Sequence, residues 1–274
     1  MDQLIVLGTG NAMVTKCYNT CFALRHADAY CLVDAGGGNG ILAQMQHAGI
    51  PFSALHHLIV THAHCDHLLG VVWVVRKIAT LMKNGAYDGD FHIWAHQSIL
   101  DAIVTMCHIT LQEKFVKLLG TQIRLCPIAD GSKAQILDQE FTFFDIHSTK
   151  LLQHGFTVRQ GEWKLTCLGD EPYNPLCHDY VAGSDWLLCE AFCLYSQRER
   201  FKPYEKHHST VKDAALLAQQ LQISNLVLWH TEDANYENRK ALYTQEAAGH
   251  YTGHLFVPYD LEVLDLSRDP EVRP

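Results

Sequence analysis

The sequence predicts an α/β fold in which helices cover β-sheets. Short runs rich in β-branched and aromatic residues recur along the whole chain, and patterns with helical periodicity fall between them. Helices that alternate with strands are typical of sheets covered by helices. With 48% hydrophobic residues, the 274-residue chain can bury a substantial core. No repeat or linker divides it, and we therefore predict one domain over residues 1–267 and a C-terminal tail over residues 268–274.

The predicted elements follow from these periodicities. The runs that predict strands are Leu4–Leu7, Cys21–Leu24, Ala29–Val33, His57–Val60, Phe91–Trp94, Phe141–Ile146, Phe156–Arg159, Lys164–Leu168, Trp186–Cys189, Leu226–Trp229, His254–Val257 and Leu261–Leu266. The patterns that predict helices are Ile41–Ala48, Leu68–Lys83, Ser98–Leu119, Val211–Leu221 and Glu237–Ala248. Gly161, close to Trp163, predicts a hairpin turn.

Charge and composition limit the classes of partner and the compartment. The formal net charge of −9 argues against nucleic acid as the main partner, because phosphate binding requires a basic face. No basic region precedes the first apolar run, and no stretch approaches the ~18 apolar residues of a membrane span. The ten cysteines form no Cys-x-x-Cys pair and are expected to be reduced thiols. We expect a cytoplasmic protein without a membrane partner.

The segment Thr61–His67 is the most informative part of the chain. It places His62, His64, Asp66 and His67 at His-x-His-x-Asp-His spacing, and imidazole with carboxylate suits zinc and other first-row divalent ions. A predicted strand precedes the segment and a predicted helix follows it. The ligands would therefore lie on a strand-to-helix turn that is fixed on both sides.

This segment resembles the signature of the metallo-β-lactamase superfamily of hydrolases. The resemblance implies a four-layer αββα sandwich and three further ligands, a His, an Asp and a His, each at the end of a strand. His147, Asp170 and His230 each directly follow a predicted strand, in that order. His154 is an alternative to His147 if the preceding strand is longer.

Seven ligands are too many for one tetrahedral zinc ion and suit two ions that share a hydroxide. By the resemblance, His62, His64 and His147 would hold one ion. Asp66, His67 and His230 would hold the other, and Asp170 would bridge both. We expect two Zn²⁺ ions, with Mn²⁺ or Fe²⁺ as alternatives, because His/Asp sites accept all three.

Other motifs resemble the ribonuclease Z-like branch of the superfamily. They are the opening Gly8-Thr9-Gly10-Asn11-Ala12, the strand that ends in Cys189-Glu190-Ala191, and His208-Ser209-Thr210 before a helix. The chain departs from that branch at four positions. Val14 stands where Pro is usual, Tyr18 where Arg is usual, Cys189 where His is usual, and Asp213 where Glu is usual.

The same motifs predict the catalytic residues. His208 is a candidate general acid that would protonate the departing alkoxide. Glu190 would orient that imidazole, as an acidic residue does for a catalytic histidine. Together with the ligand Asp66, they form the predicted catalytic set. A surface His before a helix cap is the alternative for His208.

The interval between His147 and Asp170 bears on the substrate. Ribonuclease Z inserts a flexible transfer-RNA-gripping arm there, whereas this chain has 22 residues between the two, which a predicted hairpin uses fully. We therefore expect a small, anionic ester substrate, first of all a phosphodiester that a metal-bridged hydroxide attacks. A transfer-RNA 3′ endonuclease and an arylsulfatase-like sulfate ester hydrolase are the alternatives. The resemblance also implies a homodimer.

Two further positions have competing interpretations. Asp34, in a glycine-rich turn after a predicted strand, is interpreted as structural rather than functional. Cys65, inside the metal motif, is expected to be a buried spacer, with a metal ligand or an oxidation-sensitive thiol as alternatives.

Overall fold

A computed structural model describes residues 3–161 and 163–266. The predicted tail, residues 268–274, lies outside the described residues. By their internal contacts the described residues form two compact units. The first unit contains residues 3–8, 18–128 and 261–266, and the second contains residues 9–17 and 129–260. The single-domain boundary at residue 267 stays a prediction.

The first unit contains one mixed sheet of seven strands and the helices that follow its strands. Its strands are β1 Gln3–Gly8, β2 Cys21–His26, β3 Ala29–Val33, β4 Leu55–Ile59, β5 Phe91–His96, β6 Ile123–Ile128 and β14 Val263–Asp265. Its helices are α1 Gly40–His47, α2 Cys65–Leu68, α3 Val71–Lys83, α4 Gln97–Thr110 and α5 Glu113–Val116. The strand order is β14-β1-β2-β3-β4-β5-β6, and β3 to β6 run parallel. The residues that follow β3 and β4 therefore lie at the same edge of the sheet.

Helix α3 illustrates how this unit forms its core. Val71, Val74, Val75, Ile78 and Ala79 are buried, at the spacing that places side chains on one face of a helix. They belong to one apolar cluster with buried residues of the sheet. Each fully buried Val or Ile side chain stabilises the fold by roughly 1.5–3 kcal/mol.

Two predicted helices of this unit are interrupted. The helix predicted over Leu68–Lys83 breaks at Gly70, where a Cβ atom would lie 1.8 Å from the carbonyl oxygen of Ala35, so the close approach of the two backbones requires glycine. The helix predicted over Ser98–Leu119 breaks at Leu111, whose backbone is extended. Thr110, just before it, donates its hydroxyl to the Met106 carbonyl, and such local bonds compete with the helix.

The second unit also contains a mixed sheet of seven strands. Its strands are β7 Lys133–Ile136, β8 Gln139–Asp145, β9 His154–Gln160, β10 Trp163–Cys167, β11 Trp186–Glu190, β12 Asn225–Trp229 and β13 His254–Phe256. Its helices are α6 His178–Val181, α7 Arg198–Phe201, α8 Val211–Gln220 and α9 Arg239–Ala247. The order is β13-β12-β11-β10-β9-β8-β7. The predicted hairpin is confirmed, with Gln160 of β9 paired to Trp163 of β10.

The strand directions of this sheet determine which residues share an edge. Strands β10, β11 and β12 are parallel, and β8 runs in the same direction because β9 is antiparallel to both β8 and β10. The residues that follow these four strands therefore lie at one edge of the sheet, where α/β folds place their ligands.

The sequence patterns missed the edge strands β6 and β7. Pro127 lies within β6, and proline is tolerated in a sheet at an edge strand but argues against a strand in the sequence. Strand β7 has only four residues, and Leu137 and Asp138, both with positive φ, connect it to β8. Within the described residues, no helix has both the length and the apolar character needed to cross a membrane.

Candidate active site

In the first unit, the His-x-His-x-Asp-His segment follows β4 and enters α2, as predicted. His62 is fully buried, and its Nε2 lies 2.9 Å from Nδ1 of His64. The rings of His62 and His67 have centroids 4.1 Å apart. Asp66 and His67 lie in the single turn of α2 and are buried, with His67 Nε2 3.5 Å from Asp66 Oδ2. The turn thus concentrates imidazole and carboxylate groups in a small buried volume.

Asp34 organises this group, a role that the sequence interpretation underestimated. Its Oδ1 accepts the Thr61 backbone N–H at 2.8 Å, and its Oδ2 accepts the Thr61 hydroxyl at 2.7 Å. The same Oδ2 lies 2.7 Å from His67 Nδ1. When His67 donates its Nδ1–H to this carboxylate, Nε2 keeps the lone pair that a metal ligand needs, which is the usual support of a metal-binding histidine.

The glycine-rich turn after Asp34 is braced by Tyr18, the residue that replaces the usual arginine. The Tyr18 hydroxyl lies 3.0 Å from the carbonyl oxygens of both Ala35 and Gly38. Burial raises the pKa of Tyr18 well above its usual value, so the phenol stays protonated and can donate. A Cβ atom at Gly36, where φ is +68°, would lie 2.3 Å from the Tyr18 ring. The Tyr18 ring therefore occupies the space that a side chain at position 36 would need.

Cys65 lies at the first position of α2 and is exposed, so the expectation of a buried spacer is wrong. As the first residue of a one-turn helix, it turns outward while Asp66 and His67 turn inward. Among the described residues, Cys65 belongs to no group of three ligand-type atoms within 4.8 Å of one another.

In the second unit, the predicted residues follow the ends of four strands. His147 comes after β8, Asp170 after β10, Glu190 ends β11, and His230 directly follows β12. Asp170 and His230 are buried, and Asp170 Oδ2 lies 3.4 Å from His230 Nε2. His147 and His230 have φ values of 58° and 54°, a region that few non-glycine residues adopt. Such conformations cluster at functional sites.

Glu190 and His208 form the predicted pair. Glu190 is fully buried, and its Oε1 accepts both the backbone N–H and the hydroxyl of Ser209. Its Oε2 lies 3.4 Å from His208 Nδ1. The His208 ring stacks on Phe192 with centroids 4.8 Å apart and lies 5.3 Å from the His230 ring. With Nδ1 facing the carboxylate, Nε2 is the atom that can transfer a proton.

His147 lies apart from these buried groups. It is exposed, and among the described residues it belongs to no group of three ligand-type atoms within 4.8 Å. It lines a cleft of about 270 Å³ that His208 also lines. His154, the alternative ligand, begins β9 opposite Asp145 and is buried. It is absent from the described lining of that cleft.

Glu171 and Arg239 support this edge of the sheet and were missed as positioning residues. The buried Glu171 accepts the Ser148 hydroxyl at 2.7 Å and so fixes the loop after His147. The buried Arg239 donates to the Thr231 hydroxyl at 2.7 Å, next to His230. Neither residue has a sequence spacing that would reveal its contacts, because both act through loops that meet only in the fold.

The donor set of each unit fits a divalent cation. Asp34, His62 and His67 in the first unit offer three ligand-type atoms within 4.8 Å of one another. In the second unit, the buried Asp170 and His230 offer an oxygen and a nitrogen 3.4 Å apart. Buried imidazoles beside buried carboxylates are the ligands that zinc and related ions prefer.

Comparisons with known proteins identify the family. A sequence model described as "Beta-lactamase superfamily domain" matches residues 30–231. Ribonuclease Z of Bacteroides thetaiotaomicron is 22% identical over 293 residues, which cover 90% of both chains. A metallo-β-lactamase fold protein, YhfI of Bacillus subtilis, superposes with a TM-score of 0.77 at 15% identity and covers 96% of this chain and 98% of its own. The short form of human tRNase Z has a TM-score of 0.73 at 18% identity, with coverages of 97% and 99%.

These likenesses confirm the predicted metallo-β-lactamase fold, with two mixed sheets flanked by helices, and the prediction of a metal-dependent hydrolase that acts on ester bonds. Because the family model matches most of the sequence, the chain belongs to the β-lactamase superfamily, and ribonuclease Z proteins are among the relatives to which it is similar.

Proposed function

We propose that this chain is a phosphodiesterase that acts on small phosphodiesters, with His208 as the proton donor to the leaving group. The observation that carries the proposal is the Glu190–His208 pair, whose imidazole lies 5.3 Å from the imidazole of the predicted ligand His230. A proton donor beside a predicted metal ligand is what ester cleavage with a poor leaving group needs.

We further propose that the seven residues predicted from the sequence hold two divalent ions, most readily Zn²⁺, with Mn²⁺ or Fe²⁺ as alternatives. His62, His64, Asp66, His67, His147, Asp170 and His230 are these residues, and their division between two ions with Asp170 bridging rests on the family resemblance. When bound, such ions lower the pKa of water and polarise phosphoryl oxygens.

The chain's own residues have separable tasks in this proposal. Asp34 holds His67 by its Nδ1, so that Nε2 is the nitrogen that serves as ligand. Glu190 faces Nδ1 of His208 at 3.4 Å, which leaves Nε2 to face a leaving oxygen. Phe192 stacks on the ring of His208 and limits its rotation.

A transfer-RNA 3′ endonuclease is the second candidate. Relatives named ribonuclease Z make a nucleic-acid substrate a stronger candidate than the charge of −9 indicated. Against it, β9 and β10 occupy much of the interval between His147 and Asp170, and within the described residues this interval contains no inserted arm. The short interval therefore favours small substrates.

A parallel assay on one metal-loaded preparation tests the proposal. We expect measurable hydrolysis of bis(p-nitrophenyl) phosphate, little or none of p-nitrophenyl sulfate, and weak binding with at best slow cleavage of precursor transfer RNA at physiological salt. Tight binding of the precursor with cleavage just after the discriminator nucleotide would replace the proposal with the endonuclease. Sulfate ester hydrolysis without phosphodiester hydrolysis would replace it with an arylsulfatase.

A further inference from the structure

The cleft that His147 and His208 share in the second unit has two tyrosines in its lining. Its volume is about 270 Å³, and Tyr173, Tyr204 and His207 complete its aromatic lining. We propose that this cleft binds the leaving group of the substrate and that this leaving group is an uncharged aromatic alcohol, such as a nucleoside or an aryl alcohol. The inference rests on the proposed function, because it takes His208 as the donor to the leaving oxygen.

The two tyrosines are held at their hydroxyl ends. Tyr204 donates its hydroxyl to Asp213 Oδ2 at 2.8 Å, and Asp213 belongs to the capping box that begins α8. The Tyr173 hydroxyl lies 3.5 Å from His178 Nδ1, and its ring packs against the apolar core of this unit. Rings that are fixed in this way lose little entropy when a flat ligand stacks on them.

The lining also contains no lysine or arginine. Among the described residues that line the cleft, none is lysine or arginine, and the one carboxylate is that of Glu171. Glu171 accepts the Ser148 hydroxyl and lies 3.7 Å from Lys150 Nζ, so its charge is largely compensated. Burial, helped by the bond to Asp213, raises the pKa of Tyr204 to about 12, so its phenol is neutral. A leaving group that carries its own phosphate would find no lysine or arginine in this lining.

Size points to the same class of ligand. Ligand sites commonly have volumes of roughly 300–1,000 Å³, and a cleft of about 270 Å³ lies just below that range. One ring system with a small substituent would fill it, whereas a polynucleotide would not fit. The aromatic lining favours a ligand with a π-face, since aromatic stacking contributes about 1–3 kcal/mol per base.

The chemical step balances with water as the co-reactant. Water adds its oxygen to phosphorus, and the bond between phosphorus and the leaving oxygen breaks. The leaving oxygen takes a proton from His208 Nε2, and the proton that the water loses restores His208 for the next cycle. The products are a phosphate monoester and a neutral alcohol, which remains in the cleft until it dissociates.

Equilibrium binding to the metal-loaded protein tests the cleft separately from catalysis. Calorimetry with adenosine, benzyl alcohol and D-ribose should show binding of an aromatic compound and none of ribose. Adenosine binding more tightly than benzyl alcohol would identify a nucleoside cleft, and the reverse order an aryl alcohol cleft. Ribose binding as tightly as both aromatic compounds would overturn the proposal.

Matched variants locate the binding. Tyr173→Leu and Tyr204→Leu should each weaken binding of the preferred aromatic compound roughly tenfold, the loss of one stacking contact. Tyr204→Phe keeps the ring and should stay within about twofold of the unaltered protein, on the same stacking argument. Trp73→Leu, which removes a partly exposed ring of α3 outside this lining, controls for non-specific ring contacts. Equal weakening by Trp73→Leu, or none by either tyrosine variant, would contradict the assignment.

A kinetic comparison completes the test. The dinucleoside monophosphate ApA should be hydrolysed with a kcat/KM at least about tenfold higher than that of the same compound with a phosphate added to the nucleoside that leaves. If the added phosphate raises kcat/KM, the assignment of an uncharged leaving group is wrong, although the proposed phosphodiesterase activity stands. If adenosine binds with the expected ring dependence but no phosphodiester is hydrolysed, the cleft stands and the proposed function fails.

Discussion

The ligand-type residues of the first unit are almost contiguous in the sequence, whereas those of the second unit are spread over more than eighty residues. His62, His64, Asp66 and His67 share one strand-to-helix turn, and Asp34 joins them from the neighbouring parallel strand. In the second unit, four different strand ends contribute His147, Asp170, Glu190 and His230, and His208 comes from the loop before α8.

The difference shows two ways in which a fold can gather polar groups. In the first unit, local geometry does so, because a turn of seven residues fixes the spacing of its own side chains. In the second unit, sheet topology does so, because strands that run in the same direction end at the same edge. The first arrangement is visible in a sequence motif, while the second depends on the strand order.

The largest effect is expected from Asp170→Ala, among the ligand-type residues of the second unit. Asp170 is buried with Oδ2 3.4 Å from His230 Nε2, and the family resemblance implies that it bridges two ions. We expect loss of both ions or of nearly all activity, measured by elemental analysis and by turnover of bis(p-nitrophenyl) phosphate. Glu140→Ala is the matched control, because its partly exposed ion pair with Lys133 contributes at most about 1 kcal/mol. Full metal content and activity in the Asp170 variant would remove it from the site.

His208→Ala should lower turnover by about 10²–10⁴-fold while metal content stays intact, the usual range for a general acid. The loss should be smaller for p-nitrophenolate than for a poor leaving group, since a good leaving group needs little protonation. The comparison of the two substrates on the same variant is the control, because any general loss of folding or of metal would affect both equally. An equal loss for both would indicate that His208 binds substrate, and loss of metal would make it a ligand.

Asp34→Asn tests the ligand-type residues of the first unit through a residue that orients the predicted ligand His67. An amide keeps one acceptor oxygen, which cannot serve both the Thr61 donors and His67 Nδ1 as the carboxylate does. We expect metal affinity to fall by about 10–100-fold, as for other residues that orient a ligand. Competition with a chromophoric chelator measures it. Asp28→Asn, at an exposed residue just before β3, should leave the affinity unchanged.

The smallest effect concerns stability at acidic pH in the first unit. Burial, aided by the neighbouring His92 and His56, lowers the pKa of His57 from 6.5 to about 4. The unfolded chain therefore binds a proton between about pH 6.5 and 4 that the folded chain does not, and stability falls over this range as pH decreases. His57→Gln should reduce the loss of unfolding free energy over this pH range by an amount on the order of 1–2 kcal/mol, which denaturant unfolding at several pH values measures. His47→Gln, at an exposed position of α1, should leave the slope intact.

The sequence predicted most of the strands and helices, but not the edge strands β6 and β7 or the contacts that support the site residues. Strands β11 and β12 follow from apolar runs and β4 and β10 from short runs rich in apolar residues, which explains why the polar residues after these strands could be named in advance. Strands β6 and β7 were missed because a proline and a short length hide edge strands from periodicity. Asp34, Glu171 and Arg239 were undervalued because their partners are distant in sequence, and no spacing rule connects residues that meet only through the sheet.

We propose that the seven predicted ligands hold two divalent ions. The most direct test is elemental analysis of the unaltered protein, purified without chelator and after addition of Zn²⁺. We expect about two metal equivalents per chain. A value that stays at one after saturation with metal would contradict the dinuclear assignment.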